Sequence, residues 1–156
     1  MQWTTPIEIS PSPFRISHQD DLLALGSCFS ENIGKRLLAN KFRLCYNPTG
    51  ILYSPHSIFS AMVNILANRV YTIDDLYEKD GLWLSLDHHT RFSDADPQAL
   101  LEGINTAIGK AHSILSSAKV LFLTFGTAYY YQTAKEKKVV ATCHKLPRDF
   151  FERRLA

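Results

Sequence analysis

A short apolar run that stops at a glycine is the feature that most constrains how this chain can fold. Residues 22–25 are all apolar, as in a short buried strand, and Gly26 ends the run. Residues 30–39 then carry apolar side chains three to four positions apart, which predicts a helix. A buried strand that turns directly into a helix is typical of a parallel α/β unit. The sequence therefore places Ser27 and Cys28 at the carboxyl end of a strand, where open α/β sheets bind their ligands.

The residue types of this turn allow two interpretations. In the functional one, Ser27 and Cys28 are nucleophiles beside the unpaired N–H groups at the start of a helix, a geometry that suits acyl transfer. In the structural one, Gly26 only makes the turn, Ser27 or Ser30 caps the helix, and Cys28 packs as a small apolar residue. The local pattern leaves both interpretations open.

The rest of the chain continues the alternation of strands and helices. Apolar periodicity, proline positions and turn residues define each segment. In chain order the predictions are a strand at 42–46, a helix at 55–68, a hairpin at 75–86, a helix at 97–115, a strand at 120–125, a second hairpin between 129–132 and 138–142, and a helix at 149–156. This order predicts a three-layer α/β/α sandwich with a mostly parallel sheet. The unbroken apolar run at 120–125 is typical of a central strand covered on both faces.

The domain organisation predicted from the sequence is simple. A chain of 156 residues fits one domain with a core of its own. Residues 1–18 contain three prolines and show little periodicity, so an extended arm is expected there. No capping signal follows the last predicted helix, which leaves open whether Ala156 is a natural end or a truncation within a larger domain.

Composition and charge argue against several function classes. The net charge of +2 is too small to indicate nucleic acid or an anionic membrane as a partner. No apolar run approaches the roughly 20 residues of a membrane span, and the first residues do not resemble a signal peptide, so a cytoplasmic location is expected. Cys28, Cys45 and Cys143 are odd in number and far apart, which predicts reduced thiols. The aspartates and histidines at 87–96 lack a recognised metal-ligand spacing and are interpreted as a polar loop, so no metal is expected.

Four segments together carry a resemblance to a known family. They are Gly26-Ser-Cys-Phe-Ser30, Asn47-Pro-Thr-Gly-Ile51 with Ser54-Pro55, Leu123-Thr-Phe-Gly-Thr-Ala128, and Cys143-His-Lys-Leu-Pro147 followed by Phe150. The first resembles the signature of the bacterial GSCFA family, named for Gly-Ser-Cys-Phe-Ala, with Ser30 in place of the final alanine. The resemblance spans about 22–155 and matches the amino-terminal part of that family's domain. Because the family is grouped with the SGNH, or GDSL-like, hydrolases, the resemblance implies a flavodoxin-like sandwich and the cleavage of esters.

The resemblance also implies roles for individual residues. The nucleophile turn of SGNH hydrolases corresponds to Gly26-Ser27-Cys28, where register favours Cys28 and leaves Ser27 as the alternative. Gly50, after Asn47, resembles the glycine whose backbone N–H group helps to form the oxyanion hole, although an ordinary turn explains it equally well. Gly126 and Thr127 match the start of a third block in which Ala128 replaces the usual asparagine. That replacement removes an oxyanion donor worth about 3 kcal/mol in other enzymes, and Thr127 is the candidate substitute.

The general base is the part of the SGNH pattern that this sequence lacks. The Asp-x-x-His pair of that superfamily lies near the carboxyl end of the domain, and no such pair follows residue 144. His89 and His144 are the candidates to replace it. Each is also explained as a surface or structural histidine near a turn.

Two functions of different classes follow. The first is an SGNH-like hydrolase that acts on an ester or acyl group of a small molecule, such as an acylated glycan, with no cofactor. The second is a non-catalytic module of the same fold that binds a ligand or a partner, because the catalytic set is incomplete. A homo-oligomer that pairs an exposed sheet edge is compatible with the second.

Overall fold

The computed structural model describes residues 5, 7, 8 and 10–156 and shows a mixed α/β fold. Within these residues the elements are β1 (Asp21–Gly26), α1 (Cys28–Ala39), β2 (Arg43–Tyr46), α2 (Pro55–Leu66), β3 (Tyr77–Lys79), β4 (Leu82–Leu84), β5 (Ser93–Asp94), α3 (Pro97–Ser117), β6 (Ala118–Thr124), β7 (Tyr129–Thr133), β8 (Val139–Val140) and β9 (Phe151–Leu155). Short 3-10 turns lie at Ile73–Asp75 and Arg148–Phe150.

A parallel sheet of three strands forms the centre of the fold. Its order is β2-β1-β6, and β1 pairs in parallel with both neighbours. Leu23 and Leu25 of β1 pack in one cluster with residues of α2 and α3, whereas Leu22 and Ala24 pack in another with Leu37 of α1. Successive side chains of a strand point to opposite faces, so a fully apolar strand is what two covered faces require.

The prediction that 120–125 forms the central strand is wrong in position. The segment is a parallel strand, but β6 lies at the edge of the sheet, and within the described residues its only strand partner is β1. Its residues are half-buried or exposed, in contrast to those of β1. Apolar composition shows that a segment belongs to a parallel sheet, but it does not encode the order of the strands.

Two antiparallel sheets complete the fold and confirm both predicted hairpins. One has the order β3-β4-β5, and the other has the order β8-β7-β9. The predicted helix at 149–156 is wrong, because that segment forms a 3-10 turn followed by β9, which pairs with β7 from Tyr129↔Leu155 to Thr133↔Phe151. A helix of eight residues is marginal by itself, and the backbone of β7 offers hydrogen bonds to an extended chain instead.

The helix starts follow the capping residues in the sequence. Ser54 caps α2 by accepting a hydrogen bond from the backbone N–H of Ser57, and Asp96 caps α3 in the same way through Gln98. The described part of the predicted arm contains neither helix nor strand, while residues 1–4, 6 and 9 lie outside the described residues. None of the described helices combines the length and apolar character needed to cross a bilayer.

Candidate active site at the carboxyl end of the parallel sheet

The turn that follows β1 can be made only with a glycine at position 26. Gly26 has a φ of +139°, and a Cβ atom there would lie 2.1 Å from the carbonyl oxygen of Thr124 on the neighbouring strand. Its N–H group donates to Oδ1 of Asn47 at 2.9 Å, and its carbonyl oxygen accepts from the N–H of Leu52 at 2.9 Å. The turn is therefore fixed by contacts on both sides before the helix begins.

Ser27 and Cys28 differ in what surrounds them. Ser27 is the N-cap of α1 and is 8% exposed, and its Oγ accepts from the N–H of Phe29 at 3.3 Å. The same oxygen hydrogen-bonds to Oγ1 of Thr124 at 3.1 Å. Cys28 is the first residue of α1 and is exposed. Ser27 therefore has the capping role of the structural interpretation. Cys28 is the exposed residue that the functional interpretation requires.

Thr124 is a site residue that the sequence analysis missed. Its Oγ1 accepts from the N–H of Ser27 at 3.0 Å and hydrogen-bonds to Oγ of Ser30 at 2.8 Å. Ser30, at the position of the family's alanine, is buried and finds a hydrogen-bond partner in this threonine. Thr124 is the one polar residue within the otherwise apolar run 120–125, and this was the signal that could have identified it.

The loop from Asn47 to Gly50 lies against this turn. Asn47 is fully buried, and its Nδ2 has no hydrogen-bond partner among the described residues. Gly50 has a φ of +88°, and a Cβ atom there would lie 2.2 Å from Cβ of His89. Its N–H group donates to the carbonyl oxygen of Asn47 at 2.8 Å. The sequence-predicted oxyanion donor is therefore next to the turn, but its N–H already has an acceptor in this conformation.

Gly126 and Thr127 lie just beyond β6 at the same edge of the sheet. Their N–H groups donate to the carbonyl oxygen of Tyr53, at 2.8 Å and 3.2 Å respectively. Oγ1 of Thr127 accepts from the N–H of Tyr129 at 3.0 Å. These residues join the loop before α2 to the start of β7, and both N–H groups are occupied by this connection.

His89 is the candidate base that the fold brings to this edge. It lies directly against Gly50, and its backbone N–H group donates to the carbonyl oxygen of Thr49 at 2.8 Å. Burial is the main cause that lowers the pKa of its imidazole, with Arg91 acting in the same direction. The carboxylate of Glu31, three residues after Cys28 on α1, is close enough to oppose this shift. Residues three apart share a helix face, so Cys28 and Glu31 face the same side of α1.

Arg91 connects these groups and was also missed from the sequence. Its Nη2 donates to the carbonyl oxygen of Asn47 at 2.6 Å, and its Nη1 lies 3.7 Å from the carboxylate of Glu31. The pKa of Glu31 is lowered mainly by its hydrogen bond to Lys35, at 2.7 Å. The site therefore has an ionised carboxylate between two cations near the start of α1.

His144 lies in a different environment from His89. It is 8% exposed, and its Nε2–H donates to the carbonyl oxygen of His88 at 2.9 Å. Burial lowers its pKa, against the hydrogen bonds of the ring to the backbone of His88 and Ser85. It contacts the segment after β4, and no hydrogen bond connects its side chain to the turn after β1 in the described residues. Nor do the described residues contain a cluster of three side chains able to hold a metal ion.

Comparison with known proteins identifies the family. A model of the GSCFA family matches residues 21–156, which is nearly the whole chain. The chain belongs to the GSCFA family. Comparison with curated proteins and with solved structures gave no match.

The four GSCFA-like segments of the sequence meet around one edge of the fold. The first and second are joined by the hydrogen bond from Gly26 to Asn47, and the first and third by the hydrogen bonds between Ser27 and Thr124. The fourth contributes Cys143, which lines a cleft together with Thr127 of the third. The GSCFA segments are thus distant in sequence and adjacent in space.

Proposed function

We propose that this GSCFA protein is an SGNH-like hydrolase that cleaves an ester or acyl group by nucleophilic attack of Cys28. The observation that carries the proposal is the contrast at the end of β1, where Ser27 is buried as a cap and Cys28 is exposed at the first position of α1. The proposal includes the three-layer, SGNH-like arrangement of the complete fold. The parallel sheet with helices packed on it supports that part.

The chemistry has two balanced steps. The Cys28 thiolate attacks the carbonyl carbon, and the tetrahedral intermediate expels the alcohol, which takes up a proton and leaves a thioester on the enzyme. Water then attacks the thioester, releasing the acid and restoring the thiol. The positive end of the α1 dipole favours the negative charge that develops on the oxyanion. The N–H of Cys28, in the first turn of α1, has no acceptor within the helix and can donate to that oxyanion.

His89 is the proposed proton acceptor and donor. Burial lowers its pKa, so the ring is neutral at pH 7. It takes up a proton at Nδ1 once that atom releases the 3.3 Å hydrogen bond that it accepts from the backbone N–H of Arg91. Its contact with Gly50 and the proximity of Glu31 support this role, because Glu31 and Cys28 share one face of α1. His144 is the less suitable candidate, because its ring is hydrogen-bonded to the segment after β4, whereas His89 lies against Gly50.

One observation favours the second function, a binding module without turnover. The N–H groups of Gly50, Gly126 and Thr127 all donate to backbone carbonyl oxygens. An oxyanion hole needs donors that are free when charge develops on the substrate. If these hydrogen bonds persist when a ligand binds, the site holds an acyl or glycan ligand and performs no chemistry.

Hydrolysis of p-nitrophenyl acetate by matched variants tests the proposal. We expect Cys28→Ala to lower the rate to that of the uncatalysed reaction, and His89→Gln to lower it by on the order of a hundredfold. Ser27→Ala should keep most of the activity of the protein that remains folded. Cys45→Ala, which removes a buried thiol from β2, is the control and should leave the rate unchanged. Turnover that survives in Cys28→Ala would show that this thiol is not the nucleophile, and absence of turnover in the unmodified protein would favour the binding module.

A further inference from the structure

The cleft that Thr127 and Cys143 line lies between Tyr53, the start of α2 and the β7–β8 hairpin. Its volume is about 230 Å³. Eight of the eleven residues that line it carry a hydroxyl group, namely four tyrosines, two serines and two threonines, and none carries a charge. Four of these hydroxyl groups, on Ser54, Ser57, Thr127 and Thr142, already take part in hydrogen bonds within the protein. The four tyrosine hydroxyl groups are therefore the ones that the cleft offers to a ligand in both directions, and no counter-ion lies among the lining residues.

This lining selects the chemical class of the ligand. A hydroxyl group donates one hydrogen bond and accepts two, so it matches the hydroxyl groups of a ligand in either direction. The lining residues carry no charge, and the guanidinium of Arg153, which contacts them, is stacked on the ring of Tyr129. A phosphate or carboxylate would therefore lose its hydration in the cleft without an ionic partner among the lining residues, which is costly. The volume is below the roughly 300 Å³ at which pockets for drug-sized ligands begin, so one ring is the size that fits. A neutral ring with several hydroxyl groups meets all three conditions.

Two of the four tyrosine rings of the cleft stack on another side chain of the described residues, and the other two do not. Tyr130 is stacked on His56 of α2, with ring centroids 4.0 Å apart and an interplanar angle of 11°. The guanidinium of Arg153 on β9 covers the ring of Tyr129 at 4.2 Å. Tyr53 and Tyr131 are 46% and 40% exposed, and no described aromatic or cationic side chain stacks on either. Each of these two rings, Tyr53 before α2 and Tyr131 on β7, therefore has exposed surface that a ligand could cover.

The cleft is connected to the segment that carries the proposed nucleophile by a series of contacts and hydrogen bonds. The ring of Tyr53 lies over Gly126, since a Cβ atom there would be 2.7 Å from Cδ1 of the tyrosine. The carbonyl oxygen of Tyr53 accepts from Gly126, which follows the end of β6. Thr124, the last residue of β6, is hydrogen-bonded to Ser27, the residue that precedes Cys28. The cleft and the thiol are thus at the same carboxyl-terminal edge of the parallel sheet.

We propose that this cleft binds a neutral sugar ring, with Tyr53 and Tyr131 packing on its apolar C–H face and the surrounding hydroxyl groups bonding to its rim. The further statement that the ring is the alcohol part of the ester substrate rests on the function proposed above. A pyranose combines flat apolar faces with a hydroxylated edge, which is the combination that this cleft presents.

Direct binding to the Cys28→Ala protein tests the site separately from catalysis. The probes are the methyl β-glycosides of glucose, galactose and N-acetylglucosamine, with glucose 6-phosphate and adenosine as comparators, measured by NMR chemical-shift titration. We expect at least one methyl glycoside to bind saturably, and Tyr131→Ala or Tyr53→Ala to weaken its affinity about tenfold or more. Tyr131→Phe should restore most of the affinity, because it keeps the ring. Phe59→Ala removes a 67% exposed ring elsewhere on α2 and should change nothing.

Three results would overturn the sugar site. They are the absence of saturation by every methyl glycoside up to about 50 mM, affinity that is unchanged in both tyrosine-to-alanine variants, and tighter binding of glucose 6-phosphate or adenosine than of the neutral glycosides. Hydrolysis of p-nitrophenyl acetate needs no sugar. Loss of glycoside binding with hydrolysis intact therefore rejects only the sugar site, and glycoside binding without hydrolysis in the unmodified protein rejects only the role of Cys28.

Discussion

The parallel sheet and the antiparallel strands of this protein are stabilised by different kinds of contact. In the parallel sheet, Leu22, Leu23 and Leu25 are fully buried among other apolar side chains. In the antiparallel part, the buried residues include His88, which is 0% exposed, and His144. The ring of His144 donates a hydrogen bond to the carbonyl oxygen of His88. The comparison teaches that the second region combines an apolar cluster of Leu84, Leu86 and Val140 with buried histidines, whose contribution to stability depends on pH. The candidate site lies where the two regions meet.

The largest effect should come from the turn after β1, at the carboxyl end of the parallel sheet. Gly26→Ala introduces a Cβ at a positive φ and within 2.1 Å of a backbone oxygen. We expect it to lower the free energy of unfolding by about 4 kcal/mol or more, since strain and overlap add. Urea unfolding followed by circular dichroism measures the loss.

Gly103→Ala is the matched control for this substitution. Gly103 is an exposed residue within α3, and a Cβ atom there meets nothing within 4 Å. The alanine should stabilise the protein by roughly 0.5 to 1 kcal/mol. If both variants lost the same stability, the contact with Thr124 would not be what requires glycine at position 26.

A smaller effect should appear in the antiparallel part when the pH is lowered. Burial lowers the pKa of His88 from 6.5 to about 4, so the folded protein favours the neutral ring. Its contribution to stability is complete above the unfolded pKa of about 6.5 and is lost as the pH falls toward 4. We expect a loss of about 2 kcal/mol between pH 7 and pH 5, before carboxyl groups of ordinary pKa begin to titrate. Urea unfolding at a series of pH values measures this slope.

Substitution of histidines identifies the group responsible for the slope. His88→Gln should flatten it between pH 7 and pH 5, whereas His56→Gln, at an exposed position of α2, should leave it unchanged. A slope that persists in His88→Gln would assign the acid sensitivity to other groups, among them His144, whose pKa is also lowered by burial.

The smallest effect should separate the two residues that follow Gly26. Ser27→Ala removes the cap of α1 and a partner of Thr124, and should cost about 1 to 2 kcal/mol. Cys28→Ala removes an exposed side chain and should change the stability by less than about 0.5 kcal/mol. Thermal unfolding of the two variants side by side measures the difference. Equal losses would contradict the assignment of Ser27 as the structural residue and Cys28 as the free one.

The sequence was most informative where one short segment determines its own structure. The strand and turn before α1, the helix starts at Pro55 and Pro97, and both hairpins were predicted because local residue types decide them. The edge position of β6 and the strand at β9 depend on pairing between distant segments, which local patterns do not contain. Cys28 and Gly50 were linked as candidate site residues through the family resemblance, whereas His89 was a candidate only because the sequence lacks the general base of the superfamily.

The contacts of the site could not be predicted from residue types alone. Thr124 and Arg91 act through hydrogen bonds to residues 97 and 44 positions away in the chain, and nothing in their own surroundings indicates those partners. The occupied N–H groups of Gly50 and Gly126 are likewise a property of how the loops pack.

Trapping of the acyl-enzyme tests the central claim most directly. The protein is mixed with p-nitrophenyl acetate, quenched in acid within the first turnovers and digested, and the acetylated peptide is located by mass spectrometry. The account predicts one acetyl group, carried as a thioester by Cys28, with Cys45 and Cys143 unmodified because burial raises the pKa of both thiols. An acetyl group on Ser27, or turnover with no acetyl group on Cys28, would contradict it.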